Sequence, residues 1–160
     1  MGDYNLSKKS SLWYHSITDN TWNKSSYSKI MNINNLFDYN IIADIFKQNH
    51  YQNGMFFCMK DNVFPNWEDP ENRNGGCLSF KISSDKIINE WNHLLFCFLN
   101  DMILSKDNHF INGISISPKK EFNIIKIWFS ENIKYQSIFN ISDNTLLTID
   151  NSLYKSHDIH

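Results

Sequence analysis

The stretch DKIINEWNHLLFCFLNDMIL, residues 85–104, places Ile87, Ile88, Trp91, Leu94, Leu95, Phe98 and Met102 at a spacing that a helix gathers onto one face. Ser84 and Asp85 stand at its start as cap candidates. So broad an apolar face needs an equally broad partner, and the chain offers one in segments whose period is two. In CLSFKIS, Leu78, Phe80 and Ile82 alternate with Ser79, Lys81 and Ser83, and GISIS repeats the pattern from Gly113. NIIKIWF sets Ile125, Ile127 and Phe129 against Ile124, Lys126 and Trp128. A second, weaker helical pattern is expected over residues 33–48, with Leu36, Phe37, Ile41, Ile45 and Phe46 on its apolar side. Strands and helices that do not strictly alternate imply an α+β domain, an antiparallel sheet with helices covering one face. The other face is then free to bind.

At 160 residues the chain has room for one domain with a sizeable core and not for two. No linker, repeat or low-complexity tract divides it, so residues 12–160 are expected to be that domain and residues 1–11 a short flexible arm. A formal charge of −2 with a single Arg excludes a protein that holds nucleic acid by blanket phosphate neutralisation, so any such contact must be local. Cys58, Cys77 and Cys97 lack C-x-x-C spacing, and their odd number implies buried free thiols in a reducing compartment. No secretory segment opens the chain and no apolar run approaches transmembrane length, so a cytoplasmic protein without membrane contact is expected. Asn and Ile are abundant while Ala, like Arg, occurs once, a bias that suits an AT-rich coding sequence.

The loop FPNWEDPENRNGG, residues 64–76, puts Trp67 beside Glu68 in a polar, Pro- and Gly-punctuated segment with no core to receive the indole. Trp22 also falls in a loop, and Trp128 shares a strand face with Lys126. Two indoles can sandwich a flat ring, with roughly 1–3 kcal/mol per stacked base. A positive charge on that ring adds cation–π attraction, from about 0.5 kcal/mol exposed to about 2 kcal/mol when desolvated. A neighbouring carboxylate selects an edge with two N–H donors, which the guanine edge supplies. The ligand these parts suit is N7-methylguanine.

FPNWEDPENRNGG resembles the signature loop of the messenger-RNA cap-binding translation initiation factor 4E family, and the likeness extends along most of the chain. LWYHSITDNTW resembles the family's Leu-Trp strand start and the loop ending in Thr-Trp. EWNHLLFCFL resembles its long second helix, GISIS through IKIWFSEN its fifth and sixth strands, and YKSHD its Tyr-Gln-Ser-His segment. The resemblance implies a curved antiparallel sheet of about eight strands with three helices on its convex face. It implies Trp22 and Trp67 as the stacking pair, Glu68 as reader of the guanine edge and Trp128 against the N7-methyl group. Lys119 falls at the leading position of the family's phosphate-binding segment. Cys77, Glu121 and Ile124 stand where further basic residues are expected, so the phosphate site is thinned. Lys120, Lys126 and Arg73 are the cations available to replace them, and Lys155 and His157 lie where a loop over the phosphates would start.

The resemblance also implies a dorsal surface for a scaffold-type initiation factor or a divergent equivalent. Its positions here are Tyr4-Asn5-Leu6, Ile33, Phe37, Asn92, His93 and Phe96, with Phe37 in place of the family's Trp. The partners expected are capped messenger RNA and that scaffold, bound by a monomer that is not an enzyme and carries no cofactor. The alternative is a protein-interaction regulator that keeps the fold with weakened or lost cap binding. The compositional bias suits a divergent member from a large DNA virus or an AT-rich protist. Trp13 and Trp91, on apolar patterns, are expected in the core. The six His are dispersed without metal-ligand spacing, and Asp69 in the family is structural, so no residue is assigned to catalysis or to a metal.

Overall fold

The structure, a computed structural model, describes residues 5–141 and 144–157. Its elements run β1 (Asn5–Ser16), β2 (Tyr27–Asn35), α1 (Leu36–Ile45), α2 (Gln48–Asn53), β3 (Gly54–Lys60), β4 (Gly76–Ser83), α3 (Ile87–Leu99), β5 (Ile111–Pro118), β6 (Phe122–Phe129) and β7 (Ser152–Ser156). The strands form one curved sheet in the order β2-β1-β3-β5-β6-β4-β7, each neighbour antiparallel. Among the described residues, seven strands and three α-helices give the expected α+β architecture.

The two-residue period sorts side chains cleanly. Leu12, Phe56, Cys58, Leu78, Ile114, Ile125 and Ile127 point to the helical face, where they meet Ile42 of α1, Tyr51 of α2 and the Trp91, Leu94, Leu95 and Phe98 stripe of α3. Trp91 is fully buried. Each such apolar side chain contributes roughly 1.5–3 kcal/mol on leaving water. The opposite, open face carries a smaller cluster of Phe57, Met59, Val63, Cys77 and Trp128, against which Trp13 and Tyr27 pack. Trp13 therefore belongs to the open face and not to the core under the helices.

Three expectations are corrected. Residues 5–11 are no arm: they are the first half of β1, because Lys8 crosses to the end of α3. There its ammonium donates to the Phe98 carbonyl at 3.2 Å, pairs with Asp101 at 2.9 Å and lies 4.1 Å from the Phe98 ring centre. A cation is favoured at that helix terminus. Residues 1–4, with Tyr4, lie outside the described residues. The helix expected over 33–48 is three pieces. Met31 and Ile33 point inward from β2, and Asn35 then caps α1 by accepting from the Asp38 N–H at 2.9 Å. A second helix, α2, starts only after Phe46 returns to an extended backbone. The long helix also ends early, at Leu99, where Asp101 adopts a left-handed φ of 55° and Asn100 donates to the Phe96 carbonyl. The cap candidates Ser84 and Asp85 form a 3₁₀ turn before it.

All three cysteines are buried and free. Glu90, buried on α3, accepts from the Thr145 hydroxyl and from the Leu146 N–H at 3.0 Å, tying the segment before β7 to the helix. A Glu90→Ala protein is expected to lose about 1.5–3 kcal/mol, because the Leu146 N–H and the Thr145 hydroxyl lose their charged acceptor. Urea denaturation measures this as a lower midpoint at constant slope; an unchanged midpoint would show that the strap contributes nothing.

Candidate functional site

The loop between β3 and β4, residues 61–75, crosses the open face and is braced from within. Asn72, fully buried, donates to the carbonyls of Phe64 (3.0 Å) and Asn66 (2.8 Å), while its own oxygen accepts from Asn112 at 2.8 Å. Asp69 gives one oxygen to the Phe64 N–H and the other to the Glu71 N–H at 2.9 Å. With the short polar side chains turned inward, Trp67 is left 44 % exposed and Glu68 exposed beside it.

Trp22 sits in the loop after β1, 54 % exposed, one face stacked on the His15 ring at 3.8 Å between centres and 2° between planes. His15 is fixed in turn, its Nδ1 hydrogen-bonded to the Ser16 carbonyl (2.8 Å) and its Nε2 to the Ser26 hydroxyl (3.0 Å). Tyr27 joins the two halves of the site. Its ring meets Trp22 edge-on at 6.2 Å and Phe64 at 4.9 Å, and burial, with the charge of Glu68 nearby, pushes its hydroxyl up to about 12.

Trp128 is almost wholly buried, its Nε1–H donating to the Ser115 hydroxyl at 3.0 Å. It forms the floor of a cavity of about 320 Å³ that is also lined by Trp67, Cys77, Ser79, Lys126 and Lys155. Register explains this set. Cys77 pairs with Trp128 and Lys155, and Ser79 with Lys126, so two lysines flank β4 from opposite sides. His157 roofs the cavity: its N–H donates to the Gly75 carbonyl (2.8 Å), Nδ1 meets the Asn72 carbonyl (2.9 Å), and the ring stands 5.6 Å from Trp128 and 6.4 Å from Trp67. Its Nε2 lies 3.4 Å from Cys77 Sγ, but burial pushes that thiol up to about 12, with Lys126 only partly opposing, so Cys77 remains a neutral wall and not a nucleophile.

Among the expected site residues, Trp67, Trp128 and Lys126 therefore line one cavity, and Tyr27 joins the Trp22 loop to Phe64 of the loop that carries Glu68. Lys119 and Lys120 lie on the exposed β5–β6 turn, at the end of β6 away from Trp128, and Arg73 is exposed in the 61–75 loop. On the helical face Phe37 is 63 % exposed, His93 and Phe96 are half-buried, and Leu6 packs against the core. Ile33 cannot meet a partner, because β2 turns it wholly into the core. His15 and Tyr27 were missed from sequence. Period two from Trp13 would have placed His15 on the open face; Tyr27 reaches it by pairing with His15 across strands. Among the described residues no cluster of His, Cys, Asp and Glu could hold a metal, and no helix is long and apolar enough to cross a membrane.

The family profile described as eukaryotic initiation factor 4E matches residues 5–159. The chain belongs to the initiation factor 4E family. Curated relatives include the translation initiation factor NCBP of Arabidopsis thaliana, 25 % identical over 89 % of this chain and 66 % of its own length. Another is the initiation factor 4E homolog of Acanthamoeba polyphaga mimivirus, 33 % identical over 39 % of this chain and 24 % of its own length. The chain thus spans less than two thirds of the curated 4E relatives it matches. Similar solved structures include eIF4E-3 of C. elegans with the 4E-binding protein Mextli and a cap analog (TM-score 0.73, 16 % identity, 81 % of this chain and 76 % of that one). Another is Ascaris suum eIF4E-3 with m7G cap (TM-score 0.73, 15 % identity, 83 % and 77 %). At that identity they establish the 4E fold.

Proposed function

We propose that this chain binds the 7-methylguanosine cap of messenger RNA in the cytoplasm and acts in cap-dependent translation initiation, without making or breaking a bond. The observation that carries the reading is the pair of solvent-exposed indoles, Trp22 and Trp67, with the exposed carboxylate of Glu68 next to Trp67 in the chain. In this reading the base stacks between them, Glu68 takes the N1–H and 2-amino donors, and Trp128 meets the methyl group. The C. elegans and Ascaris neighbours, with cap analog and m7G cap, support it.

The triphosphate would run into the 320 Å³ cavity, where Lys126 and Lys155 supply the charge that Cys77 does not. Lys119, Lys120 and Arg73 are left to contacts farther along the chain of phosphates. On the helical face, Phe37, His93 and Phe96 offer a docking patch for a scaffold-type partner of the monomer, with Tyr39 edge-on to Phe96 at 5.5 Å.

The test is quenching of Trp fluorescence by 7-methyl-GTP against GTP. Strong quenching by the methylated nucleotide alone, lost in Trp67→Ala, is expected; equal quenching by both, or none, overturns cap binding and favours the protein-interaction alternative. In the same assay Lys126→Ala/Lys155→Ala should weaken 7-methyl-GTP about tenfold through lost charge-assisted bonds and leave 7-methylguanosine unchanged.

A further inference from the structure

A second cavity, of about 640 Å³, opens on the β1–β2 side of the same face. Its wall carries Lys9, Lys24, Lys29 and Lys60 together with the rings of Trp13 and Phe64. Four of the 15 Lys and Arg side chains thus converge on one groove of a chain whose formal charge is −2. Lys60 is spent on the His109 carbonyl at 3.1 Å, but Lys9, Lys24 and Lys29 form no ion pair among the described residues. Two of these are poised over rings, Lys29 at 5.2 Å from the Trp13 centre and Lys24 at 5.5 Å from that of Phe64. The carboxylates at the rim do not cancel them: Asp69 is committed to backbone amides of its loop, and Asp61 alone is left, exposed.

We propose that this groove is a second anion site, which takes the ribose–phosphate chain of single-stranded RNA beyond the cap. Ammonium groups interleaved with aromatic rings suit a strand that presents phosphates and bases together, whereas an acidic peptide would have no use for the rings. The inference rests on the cap reading for its tether: an RNA held by its cap presents its own chain to the groove at high effective concentration. Groove and slot share one loop, with Phe64 and Asp69 on the groove side and Trp67 on the cavity side. Ser11, Met59, Gly113, Trp128 and Cys77 lie in one row across the sheet. From β1 to β4 that row covers four strand spacings, roughly 19 Å. That distance exceeds the reach of a single nucleotide, so short cap analogues should not sense the groove and longer RNA should.

The experiment measures binding of four ligands to the wild type and to Lys9→Glu/Lys29→Glu. They are 7-methyl-GTP, a capped oligonucleotide of about 12 nucleotides, the same oligonucleotide uncapped, and a hexaglutamate peptide as competitor. Both proteins are expected to bind 7-methyl-GTP equally. The wild type should bind the capped oligonucleotide about tenfold more tightly than 7-methyl-GTP, the variant no more tightly, with a salt slope lower by about 1.4 for two lost phosphate contacts. The uncapped strand should bind the wild type weakly at low salt and the variant not at all. Equal binding of both oligonucleotides by the two proteins overturns the proposal, as does displacement of RNA by hexaglutamate at equal charge. If neither protein binds 7-methyl-GTP, the cap reading has failed and the uncapped strand alone decides the groove. Lys24→Glu, outside the sheet, repeats the test should the double variant not fold.

Discussion

Glu68→Ala is expected to weaken binding of 7-methyl-GTP by about two orders of magnitude while the melting temperature stays unchanged. In the proposed reading this removes two charge-assisted hydrogen bonds to the guanine edge, each on the order of 1.5–3 kcal/mol when well made. The free protein has little to lose, because Glu68 is exposed and the loop is held by Asp69 and Asn72. Glu68→Gln keeps the shape and one acceptor, so it should fall between the two. Isothermal titration with 7-methyl-GTP and with its 7-methyl-inosine counterpart separates the roles: the inosine ring lacks the 2-amino group, and the Ala variant should no longer distinguish the two. Discrimination that survives in Glu68→Ala would remove Glu68 from the guanine edge.

Gly75→Ala should destabilise the whole molecule by about 3 kcal/mol or more, the upper end of overpacking. A Cβ at Gly75 would stand 1.9 Å from the Phe129 carbonyl oxygen and 2.6 Å from its carbon, both backbone atoms of β6 that cannot swing aside. Its φ is not positive, so the requirement is close approach and not a left-handed turn. Gly75 is also where the loop bearing Trp67 is fastened, accepting from the His157 N–H. Cap-analogue binding should therefore fall even where the variant is still folded. Gly54→Ala is the control: its Cβ would meet the movable Tyr14 ring at 2.3 Å, so a smaller loss of urea midpoint is expected. Equal losses for the two would show that the Phe129 contact is not what demands glycine.

The strands were legible wherever one residue in two is apolar. CLSFKIS, GISIS and NIIKIWF each became a strand with the faces read from their alternation, and the α3 stripe came out as the helix that covers them. Boundaries were less legible. Ile33 fits a helical spacing with Leu36 and Phe37 equally well, and only its pairing opposite Ser10 in β1 decides for the strand. Lys8 reads as part of a polar arm until α3 is seen to end beside it.

The candidate site divides in the same way. Trp67 and Glu68 could be singled out because a large ring in a polar loop is chemically out of place, and Trp128 with Lys126 because a strand repeats every second residue. Those signals are local, and the sequence alone determined them, together with the 4E membership to which they led. Which cations flank Trp128, that His15 backs Trp22, that Tyr27 sits between Trp22 and Phe64, and that a lysine groove opens beside Trp13 were decided only by tertiary structure. These depend on strand order and register: Lys126 and Lys155 are far apart in the chain, and they flank one cavity because β4 lies between β6 and β7. No local pattern encodes such pairing, because it follows from burying the apolar face of all seven strands at once under α3 and its neighbours.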